Sequence, residues 1–134
     1  GRMCLSGDVT HLTTEQWKII TDGIAFYKKV APIIKNGVSY LGGSVGKSWR
    51  HPEGYQTVLR KRDDCREALV VIHTFDGDLP EMIEVDLGEK GYCVADSYSD
   101  TPVTARICGS ILKYRPRNQW KGTAFYLRIA NENI

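Results

Sequence analysis

The feature that most constrains the fold of this chain is a change of hydrophobic period near residue 37. Before that point, apolar side chains recur at steps of three and four, which places them on one face of an α-helix. After it, apolar and polar residues alternate, and turn-forming residues interrupt the alternation about every ten positions. This order predicts one helix followed by an antiparallel β-sandwich or barrel. The predicted apolar face of the helix consists of Trp17, Ile20, Ile24, Tyr27, Ala31 and Ile34.

The limits of the helix follow from the residues at its two ends. Thr13 can accept a hydrogen bond from the backbone N–H of Gln16, and the Gln16 side chain can reach back to Thr13, as in a capping box. At the other end, Pro32 disfavours the α conformation at Ala31, and a turn is expected at residues 36–37. The sequence therefore predicts a helix that begins after Thr13 and ends at Ala31.

Seven β-strands are predicted beyond residue 37, separated by turns that contain Asp, Gly, Asn or Pro. The segment 67–75 is apolar almost throughout, so it is expected to form the central strand of a sheet. The predicted strands are Val38–Gly42, Tyr55–Arg62, Glu67–Phe75, Met82–Leu87, Tyr92–Ser99, Arg106–Tyr114 and Thr123–Ala130.

A short apolar segment in front of the helix ends in Ser6-Gly7-Asp8. A strand, a loop and a helix in this order are typical of one of the eight units of a (β/α)8 barrel. A single parallel strand has no neighbours to pair its backbone N–H and C=O groups, so the unit is expected to belong to a larger barrel. We therefore predict a mainly β chain in two parts: residues 1–36 are the last strand and helix of a (β/α)8 barrel, and residues 37–134 are a C-terminal antiparallel β-sandwich domain.

A resemblance to a known enzyme family is carried by the segment Leu5-Ser6-Gly7-Asp8-Val9-Thr10-His11-Leu12-Thr13-Thr14-Glu15-Gln16-Trp17. This segment resembles the last strand, loop and helix of the catalytic barrel in α-galactosidases of the melibiase group, glycoside hydrolase families 36 and 27. The segments 23–29 and 31–37 are similar to the helix and exit segment of the bacterial members. The all-β part is similar to the C-terminal antiparallel sandwich of these enzymes, so the resemblance covers nearly the whole chain.

The resemblance implies that the parent protein is a retaining α-galactosidase, which removes terminal α-linked galactose from oligosaccharides. Two aspartates do this chemistry, with carboxyl groups about 5–5.5 Å apart. In the family they lie at the ends of earlier barrel strands, so this chain is expected to hold no catalytic residue and to be inactive alone. Asp8, at the C-terminal end of the predicted strand, is the candidate substrate-lining residue of the intact enzyme. Alternatively, Asp8 only caps the loop through local hydrogen bonds.

Charge and residue spacing argue against several other classes of protein. The 18 basic and 16 acidic residues give a net charge of +2, which provides no reason to expect nucleic acid as a partner. No apolar run is long enough to span a membrane. The four cysteines and three histidines lack zinc-ligand spacing, so neither a metal nor a cofactor is expected. The cysteines are expected to be free thiols in a reducing cytoplasm, and the resemblance to the bacterial members implies a bacterial-type location. The basic residues Lys113, Arg115, Arg117 and Lys121 are interpreted as a solvated edge.

Two further hypotheses concern partners. Aromatic side chains of the β-domain can stack on sugar rings, so the alternative function is a carbohydrate-binding β-sandwich module with no catalytic role. The apolar face of helix 14–31 is expected to dock on the sheet or to form a homo-oligomer, because leaving several large apolar side chains in water is unfavourable. In the intact enzyme, the expected partners are galactosides and the missing catalytic barrel.

Overall fold

The structure is a computed structural model that describes residues 7–99 and 101–130, without the side chains of residues 47 and 48. Within these ranges there are one helix and eight strands. The strand predicted in front of Asp8 falls mainly on residues outside the described ranges, and it stays a prediction. The elements are α1 (Thr14–Asn36), β1 (Val38–Ser48), β2 (His51–Lys61), β3 (Glu67–Thr74), β4 (Ile83–Asp86), β5 (Tyr92–Tyr98), β6 (Ala105–Cys108), β7 (Ile111–Tyr114) and β8 (Gly122–Ile129).

The start of α1 is as predicted, but its end is not. The Thr13 hydroxyl accepts a hydrogen bond from the Gln16 N–H (3.2 Å), and the Gln16 side chain accepts one from the Thr13 N–H (2.8 Å), so the capping box is formed. The predicted end at Ala31 is wrong, because Pro32 lies inside the helix. Proline costs one intrahelical hydrogen bond. The helix nevertheless continues because Ile33 in the following turn is buried and its carbonyl accepts a hydrogen bond from Arg60 Nε (3.0 Å).

The strands form two antiparallel sheets. The five-stranded sheet has the order β1-β2-β3-β8-β5, and the three-stranded sheet has the order β4-β7-β6. β3 lies at the centre of the larger sheet, as its apolar composition predicted. β1 and β5 are the edges of that sheet, and β6 is an edge of the smaller one.

The predicted strand Arg106–Tyr114 is wrong as a single element. It is a hairpin, in which β6 and β7 pair across the two-residue turn Gly109-Ser110. Gly109 has φ 63°, a conformation that glycine adopts without steric cost. The turn was missed because its flanking residues continue an apolar alternation on both sides.

The predicted strand Val38–Gly42 is too short. β1 continues to Ser48 and pairs with β2 over its whole length, so the glycine-rich segment is strand rather than loop. At Gly54, with φ 94°, an added Cβ would lie 2.0 Å from the carbonyl oxygen of Ser44. Glycine at this position therefore permits the close approach of the two strands.

The main core lies between the two sheets. Phe125 on β8 and Leu112 on β7 are completely buried, and the Tyr114 ring packs edge-on against Phe125 with a centroid distance of 5.6 Å. The arrangement is a mainly β fold of the sandwich type, as predicted. The buried residues of this core are Leu59, Ala68, Val70, Ile72, Ile83, Val85, Leu87, Tyr92, Leu112, Tyr114, Phe125 and Leu127.

The helix α1 docks on the outer face of the five-stranded sheet, which is one of the two outcomes expected for it. Phe26, Val30 and Ile33 are buried there against Leu69 of β3 and Tyr126 of β8. Helix and sheet therefore share a second, smaller core. Leu69 and Tyr126 are adjacent in sequence to Val70 and Phe125 of the main core, and successive strand residues point to opposite faces, so the second core lies on the opposite side of the sheet.

The face predicted for this contact is displaced by about one position. Trp17, which was expected to be buried, is 40% exposed, whereas the row containing Gly23 and Phe26 is buried. Tyr98 of β5 determines which row of α1 is buried. Its ring stacks on Phe26 with a centroid distance of 5.8 Å, and its hydroxyl donates a hydrogen bond to the Ile19 carbonyl (3.0 Å). A Cβ at Gly23 would lie 2.8 Å from the Tyr98 hydroxyl oxygen, so only glycine leaves room for it.

The buried edge of the second core contains a pH-dependent contact at Glu67. Its carboxylate accepts hydrogen bonds from the Tyr126 hydroxyl and from Arg62 Nη1. These bonds hold the pKa of Glu67 below its ordinary value, and the bond from Tyr126 has the largest effect. A group whose pKa is lower in the folded state stabilises the fold above its unfolded pKa and loses this effect as the pH falls through the folded pKa.

We expect Glu67→Gln to lower the free energy of unfolding by about 1 kcal/mol near neutral pH and by much less in acid. Urea unfolding at about pH 7 and about pH 3 measures the difference between the two conditions. The control is Glu84→Gln, which alters an exposed ion pair with Lys113 and should change stability little at either pH. An equal loss for Glu67→Gln at both pH values would contradict the expectation.

Candidate functional site

The loop before α1 holds Asp8, the candidate substrate-lining residue. One carboxylate oxygen accepts hydrogen bonds from the Thr10 N–H (2.8 Å) and from the Thr10 hydroxyl (2.5 Å). The other lies 2.8 Å from Nδ1 of His11. All three residues are exposed. The structure thus brings Asp8 together with its sequence neighbours, in the local capping arrangement that was left open as the alternative.

The electrostatics of this loop restrict what Asp8 can do. Hydrogen bonds from the Thr10 hydroxyl, from the Thr10 N–H and from His11 hold the pKa of Asp8 below its ordinary value. The carboxylate is therefore ionised at neutral pH, and it can accept hydrogen bonds from hydroxyl groups. It does not hold a proton that a general acid could donate.

Replacing Thr10 by valine is expected to raise the pKa of Asp8 towards the ordinary value of an aspartate, because the strongest donor to the carboxylate is removed while the backbone N–H remains. Carbon-13 NMR of the Asp8 carboxyl during an acid titration measures this change. Thr14→Val, at a threonine just inside the helix, is the control and should leave the midpoint in place. An unchanged midpoint in the Thr10 variant would show that its hydroxyl does not govern Asp8.

A second candidate site is a cleft of about 500 Å³ at edge strand β6. Its walls are β6, β7, the segment 101–104 before β6 and the segment 115–121 after β7. We call it the basic cleft, because its lining includes five cationic side chains and no carboxylate among the described residues. These cations are Arg106, Lys113, Arg115, Arg117 and Lys121.

Hydroxyl groups lie at the buried end of the basic cleft. The Tyr114 and Thr123 hydroxyl oxygens are 3.4 Å apart, and that of Thr123 is 3.4 Å from the Ser99 hydroxyl oxygen. Hydrogen bonds between hydroxyls are usually about 2.7–2.8 Å long. Because these contacts are long, Tyr114 and Thr123 retain capacity to bond a ligand that enters the cleft.

The wall segment 115–121 is fixed by hydrogen bonds to β3 and to the turn that follows it. The Thr74 hydroxyl donates to the carbonyl of Asn118 (2.8 Å) and accepts from the Lys121 N–H (3.1 Å). The Gln119 side chain donates to the Gly77 carbonyl (2.6 Å). Since Thr74 is itself buried, these bonds hold the wall in one conformation.

The same wall contains a backbone conformation that is rare for a large residue. Trp120 has φ 55°, in the left-handed region, and its ring contacts Phe75 edge-on at a centroid distance of 6.1 Å. Such a conformation costs of order 1–3 kcal/mol and persists only where the surroundings impose it. The Trp120 side chain remains 60% exposed, so the strain does not serve to bury it.

The sequence interpretation of the basic stretch was incomplete. Its residues do lie at a solvent-accessible edge, but the hairpin adds Arg106 and closes the group into a cleft. Alternation of basic residues at positions 113, 115 and 117 was the available signal. It did not reveal Arg106, because β6 and β7 had been taken for one strand.

Together these features define a mainly β protein of the sandwich type, with a helix docked on one sheet, a capped aspartate loop and a basic cleft. Comparisons with protein-family models, with curated proteins and with solved structures found no match. Among residues 7–99 and 101–130, no helix is long and apolar enough to cross a membrane. The same residues contain no group of three or more His, Cys, Asp or Glu side chains placed to hold a metal ion.

Proposed function

We propose that this chain is the C-terminal part of a retaining α-galactosidase-like glycoside hydrolase, in which residues 1–36 complete the catalytic barrel and the β-sandwich braces it. The observation that carries the proposal is the sequence of the segment from Leu5 to Trp17, with its Ser-Gly-Asp motif and its capped helix. The parent enzyme removes terminal α-linked galactose, and the two catalytic aspartates lie on strands that precede this chain.

The uncovered part of α1 supports this assignment. The helix has 23 residues, but its buried positions begin only at Gly23. Trp17 and Ile19 are 40% and 44% exposed in the turns before it. Full burial of a large apolar side chain contributes about 1.5–3 kcal/mol, so a surface of this kind favours a neighbouring element. In the proposed parent, the rest of the barrel covers it, and a second copy of the chain is the alternative cover.

Asp8 has a defined role in this proposal. In a barrel enzyme, the C-terminal ends of the strands face the substrate, and Asp8 follows the strand that the sequence predicts. Its ionised carboxylate accepts hydrogen bonds from galactose hydroxyls, directly or through groups that contact them. The free thiols of Cys65, Cys93 and Cys108 are consistent with a reducing compartment, so we place the enzyme in the cytoplasm.

The proposal is tested by comparing two proteins on an aryl α-galactoside, the 134-residue chain and the longer product of the reading frame that contains it. The longer protein is expected to hydrolyse the substrate, and the chain alone is expected to be inactive. Asp8→Asn in the longer protein should raise KM or lower kcat/KM without unfolding it. Hydrolysis by the chain alone, or a longer protein that acts only on β-galactosides, would refute the proposal.

A carbohydrate-binding module is the second candidate function, and the exposed ring of Trp120 favours it. Aromatic faces held rigidly at a surface are suited to stacking on sugar rings. Calorimetric titration of the chain with galactose and with raffinose separates the two functions. Saturable binding of either sugar that is lost in Trp120→Ala, but kept in Trp49→Ala, would favour the module.

A further inference from the structure

We propose that the basic cleft binds a tetrahedral oxyanion, a phosphate or sulfate group, either as the free ion or as a sugar ester. None of its lining residues belongs to the segment 1–36, so the proposal stands whether or not the parent is an α-galactosidase.

The charge balance of the cleft is the first argument. Lys113 is paired with Glu84 (2.8 Å) and Arg115 with Glu81 (2.8 Å). Within residues 7–99 and 101–130, no carboxylate pairs with Arg106 or with Arg117. Among the described residues, the cleft therefore holds two guanidinium groups without an ion-pair partner, in a chain whose net charge is only +2.

The register of the three-stranded sheet places Arg106 next to another cation. Arg106 of β6 lies directly opposite Lys113 of β7. Like charges at directly opposed positions destabilise a strand pair. The Glu84 carboxylate of β4 compensates Lys113 from the other side. In the described part of the chain β6 is an edge strand, so no neighbouring strand on its free side supplies an acid to Arg106. An anion bound in the cleft would compensate the charge of Arg106.

The geometry of the groups indicates the class of anion. A guanidinium presents two parallel N–H donors, which match the oxygen spacing of phosphate, sulfate and carboxylate groups. Tyr114 and Thr123 also line the cleft, and their hydroxyl groups are further donors. A tetrahedral oxyanion has acceptor oxygens for guanidinium and hydroxyl donors that approach from different directions, whereas a flat carboxylate has fewer.

The hydrogen bonds that hold the wall segment 115–121 also favour a ligand site. Arg117 belongs to the segment that Thr74 anchors and that contains the strained residue Trp120. A donor on a preorganised wall loses little conformational entropy when a ligand binds. Backbone strain held by surrounding contacts is frequent at ligand sites. The strain at Trp120 therefore supports a role for the segment between β7 and β8 in binding a ligand.

The test is titration of the 134-residue chain with inorganic phosphate, inorganic sulfate, galactose 6-phosphate and galactose 6-sulfate at low ionic strength, followed by amide NMR shifts. Saturable shifts are expected at residues 101–106 and 115–123. The double variant Arg106→Gln, Arg117→Gln is expected to bind at least about tenfold more weakly, because each charged hydrogen bond is strong. Added sodium chloride should weaken binding to the unmodified chain.

The matched control is Arg66→Gln, at an exposed arginine in the turn between β2 and β3, and it should bind as the unmodified chain does. Melting temperatures of all variants verify that they are folded. Esters that bind at least tenfold more tightly than the inorganic ions would identify the ligand as a sugar ester. Equal affinities of the esters and the inorganic ions would identify it as the free ion. Binding that is unaffected by the double variant, equally tight binding of neutral galactose, or no saturation by any of the four anions in the millimolar range would overturn the proposal.

Discussion

Replacing Phe125 by alanine is expected to lower the free energy of unfolding by about 3–5 kcal/mol. Phe125 is completely buried on β8, where it contacts the core between the two sheets and the edge of the Tyr114 ring. Removing the ring leaves a cavity that the two sheets cannot close, because β8 is paired on both sides, with β3 and with β5. Domains of this size have a total stability of about 5–15 kcal/mol, so the variant should be close to unfolding.

Urea unfolding followed by circular dichroism measures the effect. Tyr40→Ala is the control, since Tyr40 is an aromatic residue of the same sheet but lies 53% exposed on edge strand β1. Its loss should be within about 1 kcal/mol. A Phe125 variant as stable as the Tyr40 variant would mean that the two sheets do not pack as a sandwich.

Replacing Ile33 by alanine is expected to lower the free energy of unfolding by about 2–5 kcal/mol. Ile33 is 1% exposed and belongs to the core that joins α1 to Leu69 and Tyr126. Its turn also follows Pro32, which already lacks one helical hydrogen bond. The last turn of the helix therefore depends on this burial more than a regular turn does.

Ile19→Ala is the matched control for Ile33, because it makes the same substitution on the same helix at an exposed position. Limited proteolysis gives a second readout, since the Ile33 variant should be cleaved between α1 and β1 faster than the control. Equal stability and equal cleavage of the two variants would show that the helix does not depend on the sheet.

The elements with strong local signals could be predicted from sequence. The capping box of α1 depends only on Thr13 and Gln16, and β3 is apolar over nearly its whole length, so both were found with their correct type. A mainly β sandwich followed from the alternation that fills the second part of the chain. Local chemistry determines these features, and distant contacts do not alter them.

The elements that depend on distant contacts could not be predicted. Pro32 would end an isolated helix, but burial of Ile33 and the hydrogen bond from Arg60 extend it. The buried face of α1 depends on where the Tyr98 ring lies, and Tyr98 is far away in the chain. Two apolar rows run along the helix, and the sequence gives no means of choosing between them.

The same limit applies to the candidate sites. Asp8 was singled out because its position after an apolar segment is a local signal, and the loop does orient its carboxylate. The basic cleft was missed, because Arg106 joins the other cations only through the β6–β7 hairpin. The buried hydroxyls of Tyr114 and Thr123 carry no signal in sequence that distinguishes them from ordinary strand residues.

The most direct measurement for the proposed enzyme is proton NMR of the sugar first released from an aryl α-galactoside by the longer protein that is proposed to contain this chain. A retaining α-galactosidase releases α-galactose first, and the β-anomer then accumulates only as the released sugar equilibrates in water. We expect that order. Initial release of β-galactose, or no release of galactose, would contradict the assignment of this chain to a retaining α-galactosidase.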